Sequence, residues 1–200
     1  LHGLHGPSAF VRRPHLWPEL MARQGTTITY APPFAYALAA ERAQLPESPY
    51  SLGALRIAGV GGDSIDMAQL RAFAQCYAGS GFSPDAFKPS YGLAEATLAV
   101  SMCNAPFDAL AQAFLIDEVT GLVLRPDADP QPAPQTAQRE LVSCGQALPG
   151  WRITVEDAAG AALPPMRIGR IVVFGAARMS GFMQQGRLHA DTAQGLDTGD

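Results

Sequence analysis

Residues 55–78 read LRIAGVGGDSIDMAQLRAFAQCYA. The short apolar stretch at 55–62 closes on glycines. The run behind it sets Ile65, Leu70, Phe73 and Tyr77 at helical spacing, with Asp63 or Ser64 able to cap it. A strand that ends in glycines and feeds a helix is one step of a parallel α/β sheet. The same plan stands on either side. Upstream, TTITYA at 26–31 is β-branched and aromatic, and Pro32-Pro33 introduces the helical run FAYALAAERAQ at 34–44. Downstream, AFKPSYG at 86–92 precedes a run of helix formers opened by Leu93. Three strand–helix alternations predict a parallel sheet with covering helices, the α/β class, for residues 1–103.

The character changes after Cys103. The segment 104–140 is rich in Pro, Asp and Gln. Its stretch QAFLIDEVTGLVL, at 112–124, reads as a hairpin turning at Thr120-Gly121, and the Pro-rich loop RPDADPQPAPQ follows at 125–135. From 141 to 200, LVSCG, WRITVED and RIGRIVVFG alternate as strands do, with turns at Ala159-Gly160 and Pro164-Pro165. This last part is expected to be a smaller antiparallel, barrel-like β unit.

Composition narrows the function class. With 200 residues, 48% of them hydrophobic and 16% charged, the chain can bury a core. Its net charge of −4 offers no basic stripe for nucleic acid. No window of 18 consecutive apolar residues is present, so no membrane span is expected. Three widely spaced cysteines, Cys76, Cys103 and Cys144, suit free thiols in a reducing cytoplasm. The chain begins without Met and ends on LDTGD, partway through a turn pattern, and is read as a fragment.

Three short stretches can carry chemistry. GVGGDSI, 59–65, lets a ligand approach backbone amides, although a plain tight turn would look the same. As a dinucleotide fingerprint it fails, because Ser64 stands where the third glycine belongs. SYGLAE, 90–95, sits at the carboxyl end of a strand, where open α/β sheets place ligands. There Tyr91 offers a flat face for a base, Gly92 permits close approach, and Glu95 offers a hard oxygen for Mg²⁺. Taken singly, Tyr91 is equally a core aromatic and Glu95 a carboxylate at a helix start. LDTGD, 196–200, can aim a carboxylate at vicinal hydroxyls or be a surface turn. His2, His5 and His15 lack further ligands for a metal, His189 has no evident partner, and no Gly-x-Ser-x-Gly elbow suggests a hydrolase.

In their order along the chain these stretches resemble the adenylate-forming ligase superfamily. SYGLAEATLAVS is similar to its tyrosine–glycine–glutamate motif, GVGGDSI to its adenine-contacting turn and LDTGD to its ribose-binding turn. FVRRPHLWPELM, YAPPFAYAL, LVSCGQALPGWRITVED and GRIVVFGAARMSGF fall in the family's order as well. The wording GLAEAT most resembles the fatty acyl-AMP ligase branch.

The resemblance implies that Tyr91 stacks on adenine and that Gly61, Gly62, Asp63 and Ser90 line its edge. It also implies that Gly92 belongs to the nucleotide site, that Glu95 ligates Mg²⁺ and that Asp200 accepts the ribose hydroxyls. Phe34, Tyr36 and Gly59 are candidates for lining an acyl pocket. The implied reaction joins a fatty or related carboxylic acid to the AMP portion of ATP, releasing pyrophosphate. An acyl carrier protein, or a polyketide or peptide synthase module, would then receive the acyl group.

Fifty positions separate Glu95 from Gly145, and the extra length at 104–140 falls where that branch carries an insertion thought to hinder CoA-dependent rotation. Ala94 replaces the usual threonine before the motif glutamate, and Gly169-Arg170-Ile171 replaces Gly-Glu-Ile. The phosphate loop and the lobe with the catalytic lysine are absent, so no catalytic residue is assigned within the chain, which alone is expected to be inactive. An acyl-CoA or aryl-CoA ligase fragment and a non-catalytic carrier-protein docking module are the alternatives.

Overall fold

A computed structural model describes residues 7–45, 50–126, 135–190 and 195–200. By its internal contacts the chain divides into two compact units, Leu1–Ser90 with Cys103–Leu110, and Tyr91–Met102 with Ala111–Asp200.

The first unit opens with helices α1 (Pro7–Arg12) and α2 (Leu16–Arg23). It then alternates β1 (Ile28–Ala31), α3 (Pro33–Glu41), β2 (Ile57–Val60), α4 (Met67–Cys76) and β3 (Phe87–Tyr91). The strands are parallel in the order β1-β2-β3, with Tyr30 opposite Gly59 and Val60 opposite Pro89. Pro33 is the first residue of α3, a position that forfeits no helical hydrogen bond.

The cap of α4 is Asp66, whose carboxylate accepts from Ala68 N at 2.8 Å. Asp63 and Ser64 do not cap it, because the helix begins at Met67, and the Asp63 carboxylate takes the Ser64 amide instead. Helices and sheet close on an aromatic core. Tyr36, Phe73, Tyr77 and Phe87 are fully buried, and the Tyr36 ring stands edge-on to Phe73 and Phe87 at 5.1 and 5.2 Å.

The second unit begins at Tyr91 and departs from expectation at once. The helix predicted from Leu93 is a single 3-10 turn, Ala94–Ala96. Thr97 then adopts φ 68°, and the chain doubles back so that Val100 N donates to Tyr91 O at 2.8 Å. The return passes so close to Gly92 that a Cβ there would lie 1.7 Å from Leu98 O. Good helix formers are overridden by this tertiary packing.

The returning chain forms β4 (Ser101–Met102), antiparallel to β8 (Gln146–Ala147). Strands β5 (Ala111–Asp117), β6 (Val123–Leu124) and β7 (Thr136–Val142) make a second sheet in the order β6-β5-β7. The β5–β6 turn is where the sequence places it. Gly121 takes φ 64° there, and Asp117 Oδ1 accepts from Val119 N and Thr120 N.

A third sheet joins β9 (Trp151–Glu156), β10 (Arg170–Gly175) and β13 (Leu196–Asp197), all antiparallel, with β10 central. Strands β11 (Gly181–Gln184) and β12 (Arg187–Ala190) pair as a hairpin. Among the described residues these sheets stay open rather than closing into a barrel, since β13 pairs with β10 over only two residues. Val173, Val100, Ala96 and Leu196 form the buried core of this unit, with Tyr91, Trp151 and Ile153 packed against it.

Candidate nucleotide-binding residues

In the first unit the glycine turn after β2 is held by β3. A Cβ on Gly61 would fall 2.6 Å from Ser90 O and 2.9 Å from Ser90 Oγ, so only glycine fits. Gly62 takes φ +82°, with open space where its side chain would be. Asp63 is exposed, its carboxylate 2.7 Å from the Ser64 amide. Ser90 is buried, and its hydroxyl donates to Val60 O at 3.2 Å, which ties the ends of β2 and β3 together. With that proton committed, the Tyr30 hydroxyl donates to Ser90 Oγ.

Tyr30 has no place in the sequence-derived set. Its ring lies across Gly59, where a Cβ would come within 2.1 Å of Cε2. The signal was present but two steps removed, since it requires the parallel register that sets Tyr30 opposite Gly59. Of the candidate acyl-pocket residues, Tyr36 is fully buried in the aromatic core and donates its hydroxyl to Gly59 O at 2.9 Å. Burial raises its phenol far above the usual tyrosine range. Phe34, two residues earlier on α3, is exposed.

In the second unit the structure brings Tyr91 and Asp200 together. The phenol donates to Asp200 Oδ2 at 2.7 Å. Partial burial, and after it the neighbouring carboxylate, push the Tyr91 phenol up to about 12, against an opposing contact from the Thr198 side chain.

The LDTGD turn is built to hold Asp200 in place. Thr198 Oγ1 donates to Ile171 O at 3.0 Å, and Asp200 N donates to Thr198 Oγ1 at 3.3 Å. Gly199 adopts φ 80°, while the Asp200 carbonyl accepts from Ile171 N at 3.1 Å. Beside the turn an open cleft of about 690 Å³ is lined by Glu156, Asp157, Arg167, Arg170 and Asp200 among others.

Glu95 lies exposed on the 3-10 turn, and its backbone carbonyl accepts from Met179 N at 2.6 Å. Among the described residues no cluster of three or more His, Cys, Asp or Glu could hold a metal. A lone exposed carboxylate does fit a Mg²⁺ that arrives on phosphate oxygens and keeps most of its waters. His2 and His5 lie outside the described residues. His189 does have a partner, because its ring stacks on Phe182 with centroids 5.3 Å apart across the β11–β12 hairpin. No helix is long and apolar enough to cross a membrane among the described residues.

Comparison with known proteins identifies the family. The family described as AMP-binding enzyme matches residues 3–183. A putative acyl-CoA synthetase of Caulobacter vibrioides is 40% identical over 196 residues, 96% of this chain and 34% of that protein. The long-chain-fatty-acid–AMP ligase FadD32 of Mycolicibacterium smegmatis is 35% identical over 84% of this chain and 27% of its own length.

Among solved structures, one from a study of fatty acyl-adenylate ligases of E. coli and L. pneumophila superposes with a TM-score of 0.81 at 31% identity. It covers 96% of this chain and 35% of that one. A fatty acyl-adenylate ligase of L. pneumophila, in complex with acyl adenylate and pyrophosphate, gives 0.79 at 25% identity over 98% of this chain and 35% of that one. The chain thus spans about a third of the length of the relatives it matches.

Proposed function

The chain belongs to the AMP-binding enzyme family, and from that premise we propose that it is part of an ATP-dependent ligase that activates a fatty acid as its acyl-adenylate. The observation that carries the reading is the contact between Tyr91 and Asp200. Two side chains 109 positions apart meet, one an aromatic face and the other a carboxylate acceptor. Adenosine needs both, a π-surface for the base and an acceptor for the vicinal diol.

In this proposal Tyr91 stacks on adenine and Asp200 accepts the ribose hydroxyls. Gly61, Gly62, Asp63 and Ser90 line the edge of the base, and Gly92 allows the backbone to approach. The fatty acid carboxylate oxygen attacks the α-phosphorus, the bond to the β-phosphate oxygen breaks, and pyrophosphate leaves with the electron pair. Both reactants are anions, so the residues of the chain act by holding them in line rather than by moving a proton. Glu95 would hold Mg²⁺, which supplies charge neutralisation on the phosphate oxygens. The phosphate loop and catalytic lysine are proposed to lie elsewhere in the full-length protein.

The acyl chain is proposed to run past Phe34, Tyr36 and Gly59, with Tyr30 added as a wall over Gly59. Residues 1–103, 104–140 and 141–200 are the proposed divisions, the middle one being an insertion that disfavours CoA as acceptor and leaves the acyl group to a carrier protein. The β6-β5-β7 sheet gives that segment ordered structure, and the fatty acid–AMP ligases among the relatives favour the same branch. Cysteines outside any disulfide at Cys76, Cys103 and Cys144 support a cytoplasmic location.

The test is pyrophosphate release by the full-length protein with ATP, Mg²⁺ and dodecanoate, wild type against Asp200→Ala. Adenylate formation that the substitution abolishes supports the reading, and wild type without adenylate formation refutes it. A second reading, acyl-CoA ligase, is favoured by the name of the Caulobacter relative. Under the first reading CoA thioester forms poorly and rises when 104–140 is deleted. Under the second it forms readily in the wild type.

A further inference from the structure

We infer that the Tyr91 hydroxyl is a positioning group for Asp200, fixing the carboxylate that selects ribose over deoxyribose so that base stacking and sugar recognition act as one element. The inference rests on the adenylate reading above and assigns to the phenol oxygen a task that stacking does not need. Phenylalanine would present the same π-face with no polar atom to bury. The phenol is partly buried, and the structure gives its proton to Asp200.

The geometry gives the proton its use. Oη lies 2.7 Å from Asp200 Oδ2, within the range of hydrogen bonds to charged acceptors. Both ends of the contact are fixed independently. Tyr91 packs against the cluster of Ala96, Val100, Val173 and Leu196, and its carbonyl accepts from Val100 N at 2.8 Å. The Asp200 backbone is held on one side by Thr198 Oγ1 and on the other by Ile171 N.

What those backbone bonds leave free is the rotation of the carboxylate about its own side-chain torsions, and the phenol removes that freedom. Oδ1 and the second lone pair of Oδ2 remain for two adjacent hydroxyls. A carboxylate held in one orientation distinguishes a diol from a single hydroxyl better than one that can turn to serve either. With its pKa held at about 12 by burial and then by the carboxylate, the phenol stays a donor through neutral pH.

The experiment measures kcat and KM for ATP, 2′-deoxy-ATP and 3′-deoxy-ATP in the full-length protein, as wild type, Tyr91→Phe and Asp200→Asn, with free adenine as a competitive probe of the stack. Tyr91→Phe is expected to lower the preference for ATP over either deoxy analogue roughly 5- to 10-fold. The change should fall on KM, with kcat and adenine inhibition little altered. As a second variant, 2,3,5-trifluorotyrosine at position 91 keeps ring and oxygen but ionises far below tyrosine, although above its own free value in this setting, so its preference should fall as pH rises through that titration.

If Tyr91→Phe and the fluorinated variant keep the wild-type preference while Asp200→Asn loses it, the positioning role is wrong and the ribose reading stands. If Asp200→Asn keeps the preference, the ribose reading fails and takes the inference with it. Tighter ATP binding by Tyr91→Phe at unchanged preference would make the phenol a placeholder that ATP displaces, and would also overturn the inference.

Discussion

Arg170 Nη1 lies 2.6 Å from Asp197 Oδ2, and the same guanidinium reaches Asp157 O through Nη2 at 3.1 Å. Arg170 therefore braces the first acidic residue of LDTGD, the turn that ends in Asp200. Both side chains are 46% exposed, so the pair contributes only about 0.2–1 kcal/mol to stability. Its effect should be larger on the placement of the turn. Arg170→Glu is expected to raise the KM for ATP several-fold by setting two carboxylates against each other, and the swap Arg170→Asp with Asp197→Arg is expected to recover most of the loss. A swap no better than the single change would show that the pair does not position the turn.

Gly92 admits no side chain. Gly92→Ala is expected to cost roughly 3 kcal/mol or more, because the obstacle is the Leu98 carbonyl and not a movable side chain. Urea denaturation of the full-length protein checks this, and a loss under 1 kcal/mol would mean that the chain does not return past Tyr91 as described.

Tyr36 ties α3 to β2 through Gly59 O. Tyr36→Phe keeps the aromatic packing and removes the donor, for an expected loss of about 1 kcal/mol. Phe73→Ala, which empties the centre of the same cluster, is expected to cost about 3–5 kcal/mol. Comparable losses from the two, measured by the same denaturation, would contradict this division between tether and core.

The β5–β6 turn carries a pH signature. Backbone amides of Thr120 and Val119 lower the Asp117 carboxyl below its ordinary 3.8. A depressed folded-state value stabilises the hairpin above the unfolded value, and that stabilisation is lost as pH falls through the folded one. NMR titration should place Asp117 below a free aspartate, and Asp117→Asn should remove its share of the acid dependence of amide exchange in this turn. An ordinary titration would mean that the turn does not form in solution.

The strands of the first unit were legible because each combines β-branched or aromatic residues with glycine or proline at its end, as TTITYA-Pro-Pro and IAGVGG do. The segment after Tyr91 was not, because its residues prefer helix while the chain reverses past Gly92, which has no Cβ to obstruct the Leu98 carbonyl. The cap of α4 lies two or three residues beyond the expected Ser64 or Asp63. Asp63, Ser64 and Asp66 are all competent caps by residue type, and composition does not choose among them. Tyr91 and Asp200 could be singled out one at a time, yet their hydrogen bond depends on how β10 carries the last turn to the first residue of its unit. Tyr30 and His189 escaped because each depends on a cross-strand partner, Gly59 and Phe182, that composition does not announce.

The reversal after Tyr91 has an electrostatic side. Peptide dipoles reinforce one another only along a regular helix of several turns, and Ala94–Ala96 is a single turn of three residues. A polyphosphate laid beside this segment would face the negative charge of Glu95 with almost no axial field to offset it. Under the proposed reading, this segment itself offers the phosphates no axial field, so Mg²⁺ held at Glu95 would matter more here than beside a long helix.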